Sequence, residues 1–186
     1  MEIDKFINTS GLNLPRVGQI GIITPNIQEA LPAVAAAFNL QTWYEPNYVQ
    51  KLFIIDGEQV ELDFNLVFAY SGRLQVELIE EKSGRGAVYQ DYLDQHGQGI
   101  HHLGFYISDM DAKLDLAEQL GLEVLLESRF KTAGGGSVRF AYLDTRQVCG
   151  MILELINIKL YGINVPQTEF MINVGRLTAD VRRFKV

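Results

Sequence analysis

Apolar residues recur along this chain with two different periods, and the switches between them mark its elements. Residues 17–24 alternate as a strand does, and Pro25-Asn26 follow as a plausible helix cap. Ile27, Leu31, Val34 and Phe38 then repeat at helical spacing. Residues 48–55 are strand-like and end at Asp56-Gly57, a dipeptide that takes the positive φ a tight hairpin needs. A further strand is predicted over 60–70, and Ser71-Gly72 turns the chain into another over 74–79. Residues 82–99 break the pattern. They are polar and carry Gly84, Gly86, Gly97 and Gly99, which marks a candidate linker, with Tyr89, Tyr92 and Leu93 able to form a short helix. After them the order of elements begins again. Residues 100–108 predict a strand, and Asp109 caps a helix carrying Met110, Leu114, Ala117 and Leu120. Gly121 closes that helix, and residues 122–126, 138–143 and 151–156 predict three more strands.

The restart is an internal repeat. Residues 17–22 laid over 100–105 bring Gln19 onto His102 and Gly21 onto Gly104. Residues 75–79 laid over 152–156 bring Glu77 onto Glu154. The predicted fold is therefore α+β: two tandem βαβββ modules, 17–81 and 100–158, joined into one domain with a concave centre. Residues 1–16 read as an N-terminal arm and 159–186 as a C-terminal extension. In the extension, Phe170, Val174, Leu177, Val181 and Phe184 predict one helical stripe beside the basic residues Arg176, Arg182, Arg183 and Lys185. The stripe is expected to pack on the domain or on a second subunit; a lid over the cavity is the sharper reading.

Side chains two apart in a strand share a face. If the halves are related by a pseudo-twofold axis, Gln19, Glu77, His102 and Glu154 converge on it. Taken singly, each has a plainer reading. A strand glutamate flanked by leucines is commonly solvated or paired with a cation, and His101-His102 can be one core and one surface histidine. For His101 that plain structural role is expected. The equivalence of the four positions in pairs changes the odds. Two carboxylates, one imidazole and one amide oxygen form a donor set for Zn, Ni, Co, Fe or Mn. A shared cation also removes the several kcal/mol that an unpaired buried carboxylate costs.

This arrangement resembles the vicinal oxygen chelate superfamily, the glyoxalase/bleomycin resistance/dioxygenase proteins, over residues 17–158. The run from Tyr92 to Leu103, with Gly99-Ile100-His101-His102, is particularly similar to the methylmalonyl-CoA epimerase-like branch. The resemblance implies that Gln19, Glu77, His102 and Glu154 are the metal ligands. Where the epimerase pattern has histidine, this chain has Gln19, as glyoxalase I enzymes of the animal type do. It further implies a metal-dependent isomerase, epimerase or lyase that moves a proton at a carbon next to a carbonyl or thioester. Glu154 would be the base, with Glu77 facing it. Glu61 lies in the region where epimerase relatives carry a catalytic carboxylate. The alternatives are a glyoxalase I-type lactoylglutathione lyase and a non-catalytic small-molecule-binding protein of the same fold. A ring-cleaving dioxygenase ranks low, because it wants a second histidine where Gln19 stands.

Composition narrows the partners. Sixteen Lys and Arg against 23 Asp and Glu give a net charge of −7, which disfavours non-specific nucleic-acid binding. The single cysteine, Cys149, rules out an intrachain disulfide and a thiolate-rich metal site. No apolar stretch reads as a secretion signal or a membrane span. A cytoplasmic homodimer acting on a small carbonyl or thioester compound is expected. Gly134-Gly135-Gly136 matches no phosphate loop and reads as a mobile hairpin turn. Tyr106 and Tyr142 are candidates to line the cavity, and His96 is expected to be exposed.

Overall fold

The computed structural model describes residues 11–84, 87–165 and 168–185. The first ten residues of the expected arm lie outside that range, as does Gly86 of the expected linker. Where the arm enters the description it is packed. Leu12 is fully buried among Met110, Ala117, Leu122 and Leu155.

The first module runs β1 (Gln19–Ile23), α1 (Ile27–Phe38), β2 (Tyr44–Pro46), β3 (Tyr48–Ile55), β4 (Glu58–Val60), β5 (Leu62–Ser71) and β6 (Leu74–Gly84). Asn26 caps α1, its side chain accepting from the Gln28 and Glu29 amides. Asp56 and Gly57, at φ 53° and 76°, form the turn between β3 and β4. After α2 (Ala87–His96) the second module runs β7 (Gly99–Tyr106), α3 (Met110–Gln119), β8 (Val124–Thr132), β9 (Gly136–Leu143), the short α4 (Arg146–Cys149) and β10 (Ile152–Leu160). Asp109 caps α3. The chain ends with β11 (Ile163–Asn164), α5 (Glu169–Leu177) and β12 (Val181–Arg183).

The strands form one curled sheet in the order β12-β2-β5-β6-β1-β7-β10-β9-β8-β3-β4, with β11 on β10. β1 and β7 meet antiparallel at its centre, and each carries the last long strand of its own module in parallel: β6 beside β1, β10 beside β7. This is the two-module fold that the repeat predicts. Two details are new. The first module holds additional short strands, and β3 leaves it to pair with β8 of the second module. Residues 82–99 are not a plain linker, because α2 buries Tyr89 in the main core with Phe53, Phe130 and Tyr142.

The tail departs from its predicted stripe. The helix stops at Leu177, and residues from Val181 form a strand against β2. Phe170 and Leu177 are 73% and 89% exposed, whereas Ile172 is buried against Tyr44 and Phe68. No helix among the described residues is long and apolar enough to cross a membrane.

Candidate active site at the strand seam

The antiparallel register of β1 and β7 sets Gln19 opposite Gly104 and His102 opposite Gly21. The two pairs exchange places about the centre of the seam. The parallel registers repeat the relation one strand outward, with Gly21 opposite Glu77 and Gly104 opposite Glu154. Each glycine therefore stands between a ligand candidate from the other module and a carboxylate from its own. The glycines are required by space. A Cβ on Gly21 would lie 1.9 Å from Cε1 of His102, and one on Gly104 would lie 2.4 Å from Oε1 of Gln19. No side chain larger than hydrogen leaves room for the group facing it.

A β-bulge sharpens the second half of the seam. Gly21 and Ile22 pair with His102 and Ile100, which leaves His101 as the extra residue of β7. The bulge brings Nδ1 of His101 to 3.0 Å from Nδ1 of His102. One nitrogen donates and the other accepts. If His102 donates, its Nε2 carries a free lone pair toward the carboxylates. His101 itself is buried against Tyr89, Tyr92 and Tyr142, in keeping with a structural role.

The four candidates converge. His102 Nε2 lies 3.2 Å from Oε2 of Glu154 and 3.8 Å from Oε2 of Glu77. Gln19, Glu77 and Glu154 line a cavity of about 130 Å³, and His102 reaches their carboxylates from the seam. All four are buried. Burial, and then the charge of Glu154, pushes the Glu77 carboxyl well above the usual range; burial does the same to Glu154. His102 is held neutral, its pKa lowered to about 3 by burial. Two carboxyls and a neutral imidazole are thus buried side by side.

Glu61 does not join this group. It is exposed at the turn between β4 and β5 and does not line the cavity. The local reason is phase. Burial along β5 falls on Leu62 and Phe64, which leaves Glu61 pointing outward with Asp63. Tyr106 and Tyr142 do line the cavity. His96 is exposed.

Sequence reasoning missed Gln75. It shares a face of β6 with Glu77, two residues on, and is buried. Its Nε2 donates to the Tyr70 hydroxyl at 2.9 Å. Its Oε1 accepts from Gln19 Nε2 at 2.8 Å and from the Tyr106 hydroxyl at 2.8 Å. That network fixes the amide of Gln19 with its nitrogen turned away and its oxygen turned into the site. The two-residue spacing from Glu77 was the available signal. Tyr89 was missed as a site residue too; its hydroxyl is 2.9 Å from that of Tyr142 at the cavity wall.

The test of a metal site is what the donors lack. Gln19 Oε1, His102 Nε2 and Glu154 Oε2 are buried and without a hydrogen-bond partner. Buried polar atoms are ordinarily satisfied; His102 Nε2 and Glu154 Oε2 face each other at 3.2 Å, where a shared proton or a cation satisfies both, and Gln19 Oε1 is left for a cation alone. As the side chains stand, no group of three or more His, Cys, Asp and Glu among the described residues is spaced to hold an ion. The strand register nonetheless brings the four donors to one place. The residue types and their orphaned atoms fit the group.

Fold and site together define a two-module protein with a polar centre at a glycine-lined seam, and the comparisons place it. Residues 18–142 match the sequence profile of the Glyoxalase/Bleomycin resistance protein/Dioxygenase superfamily; the chain belongs to that family. Among curated proteins it is 28% identical over 141 residues to the uncharacterized protein YqjC of Bacillus subtilis (strain 168), covering 75% of this chain and 90% of that one. Among solved structures, methylmalonyl-CoA epimerase from Mycobacterium tuberculosis superposes with a TM-score of 0.52 at 15% identity, covering 77% of this chain and 87% of the other. A Streptomyces coelicolor methylmalonyl-CoA epimerase in complex with 2-nitronate-propionyl-CoA gives 0.54 at 19%, covering 77% and 96%. At these identities the structures establish the shared fold.

Proposed function

We propose that this protein is a divalent-metal-dependent isomerase or lyase that moves a proton at a carbon adjacent to a carbonyl or thioester, in the manner of an epimerase. The observation that carries the reading is the set of orphaned buried atoms on Gln19, His102 and Glu154, joined by the carboxylate of Glu77. These four residues would hold the ion, which when bound stabilises negative charge developing on a substrate oxygen.

The chain's own groups supply the rest. Glu154 and Glu77 come from opposite modules and flank one space. One carboxylate would remove a proton and the other, in its acid form, would return one to the opposite face of the substrate carbon, which is the arrangement that inversion requires. In the metal-free protein burial raises the proton affinity of both, and an ion bound beside them would lower it again. Glu154 is the base, being the one in direct reach of His102. Gln75 and His101 are positioning residues for Gln19 and His102. The apolar walls, among them Phe64, Phe140 and Ile156, keep water from the reacting carbon. Gln19 itself favours a second reading, a glyoxalase I-type lyase, which would use the same base on a thiohemiacetal. The expected homodimer would draw on Phe170 and Leu177, apolar residues exposed on the outside of α5.

Incubation in heavy water tests the reaction, with metal-loaded protein and a panel of 2-methyl-branched acyl-CoA thioesters, α-hydroxy ketones and the glutathione adduct of methylglyoxal. Deuterium should enter next to the carbonyl of one panel member, and Glu154→Gln should abolish it. Lactoyl thioester formed from the adduct would select the lyase. No exchange and no product with any member would overturn the assignment of proton transfer.

A further inference from the structure

The cavity lined by Gln19, Glu77 and Glu154 has a wall formed by the C-terminal extension. The family match ends at residue 142. Beyond it, Met171, Ile172, Val174, Gly175, Asp180 and Val181 all line the same cavity. They are not loosely placed. Ile172 packs into the cluster of Tyr44 and Phe68, and β12 extends the sheet beside β2. The backbone and side chain of Asn47 bind Asp180 O at 2.8 Å and Ala179 O at 3.0 Å.

The fastening is the Asp180 carboxylate. It is buried, and it accepts from four neutral donors. Oδ1 receives the Thr132 hydroxyl, the Gly134 amide at 3.0 Å and the Gly136 amide at 3.2 Å; Oδ2 receives the Thr178 hydroxyl. Hydrogen bonds to a charged acceptor are the stronger kind, and three of the four hold the side chain against the turn between β8 and β9, the fourth coming from within the tail. This explains the glycine run that matched no phosphate loop. A Cβ on Gly134 would lie 2.0 Å from the Thr178 carbonyl oxygen, and one on Gly136 would lie 2.5 Å from the Thr132 hydroxyl. The run is shaped to receive the tail.

We infer that residues 171–181 are a fixed roof that limits the site to compact carbonyl compounds with an apolar body, and that Asp180, seated in the Gly134–Gly136 turn, is the specificity-determining latch. The cavity volume of about 130 Å³ sets the scale, since a dry cavity of roughly 150 Å³ accommodates a benzene ring. Its chemistry sets the class. Oxygen-binding groups sit at the seam, while Phe64, Leu66, Phe68, Ile158, Met171 and Ile172 offer an apolar surface to the rest of the ligand. A branched or aromatic carbonyl compound satisfies both ends better than a long polar thioester arm, so the roof narrows the substrate classes proposed above to the former. The assignment of the reacting end rests on the function proposed above.

The test uses the full chain and a neutral ketone, phenylacetone, whose ring probes the roof without chelating a metal. Binding is followed by ligand-observed NMR, with propionyl-CoA as competitor. Wild-type protein should bind phenylacetone, with or without metal, and propionyl-CoA should not displace it. Asp180→Ala should weaken phenylacetone at least fivefold and let propionyl-CoA compete. Val174→Trp, which fills the cavity from the roof and leaves the latch intact, should abolish phenylacetone binding. Nickel stoichiometry, measured separately on each variant, should stay at the wild-type value. Displacement of phenylacetone by propionyl-CoA in the wild type would overturn the proposal. So would unchanged phenylacetone binding in both variants. Because the ketone readout needs no metal, a protein that takes up no nickel would refute the proposed function and leave the roof standing.

Discussion

The two modules present the same frame and complete it differently. In each, a glycine on the seam strand stands opposite a glutamate on the neighbouring parallel strand: Gly21 with Glu77, Gly104 with Glu154. The group that each glycine admits differs. The second module supplies an imidazole, held at Nδ1 by its own neighbour His101 through a β-bulge. The first supplies an amide, held by Gln75 from the adjacent strand. Gln75 is paired with Gln19 as Ile152 is paired with His102, so the polar support of one half has an aliphatic counterpart in the other. Backbone pairing fixes where the ligands stand. The side chains behind them decide which atom each one offers.

The largest effect should come from the glycines, and it should be unequal. Gly21→Ala drives a methyl into the ring of His102, which is rigid and fully buried. A loss of about 3 kcal/mol or more in urea denaturation is expected, at the upper end of overpacking costs. Gly104→Ala meets Oε1 and Cβ of Gln19 and Cδ1 of Ile156 at 2.4 to 2.8 Å, wider than the 1.9 to 2.6 Å at Gly21, and should cost less. Equal losses in the two variants would show that the halves do not differ in this way.

Next in size are the supports. His101→Phe and Gln75→Leu keep the volume and remove the orienting partner. Each should weaken metal affinity about 10- to 100-fold, as loss of a supporting hydrogen bond generally does. Titration with nickel measures this, and circular dichroism should show an unchanged fold. An unaltered affinity in Gln75→Leu would mean that the Gln19 amide needs no orientation.

A smaller effect follows from charge. Burial raises Glu77 and Glu154 above 4.5 in the metal-free fold. The folded state then holds protons that the unfolded chain releases, so stability is lost as pH rises through the raised values. His102 acts in the opposite sense: lowered from 6.5 to about 3, it removes stability as pH falls below 6.5. Above neutrality the carboxylates act alone. Metal-free Glu77→Gln should therefore melt a few degrees above wild type at pH 8, and the gap should narrow toward pH 6. The smallest change is Tyr89→Phe, which takes one hydroxyl from the Tyr142 pair and should cost about 1 kcal/mol.

Much of this was legible in the sequence, for a physical reason. Period-2 alternation and the internal repeat carry the seam, so Gln19, Glu77, His102 and Glu154 could be brought together before any coordinates. Glu61 could not be placed, because one residue of phase decides which face of β5 it takes, and alternation weakens near the turn. The strand exchange of β3 onto β8 leaves no local mark. The tail misled for another reason. Its apolar residues keep helical spacing through Phe184, but Ala179 takes a positive φ of 64° and ends the helix there. The real buried face, with Ile172, is set by tertiary contact with Tyr44 and Phe68.

The central claim is that Gln19, Glu77, His102 and Glu154 hold one divalent ion, and elemental analysis tests it most directly. Purified protein would be incubated in turn with zinc, nickel, cobalt and manganese, desalted, and assayed for metal per chain beside His102→Ala and Glu154→Gln. The account predicts one ion per wild-type chain for at least one of these metals, and a large loss in both variants. Wild-type protein that stays metal-free with all four would contradict it, as would variants that bind as wild type does.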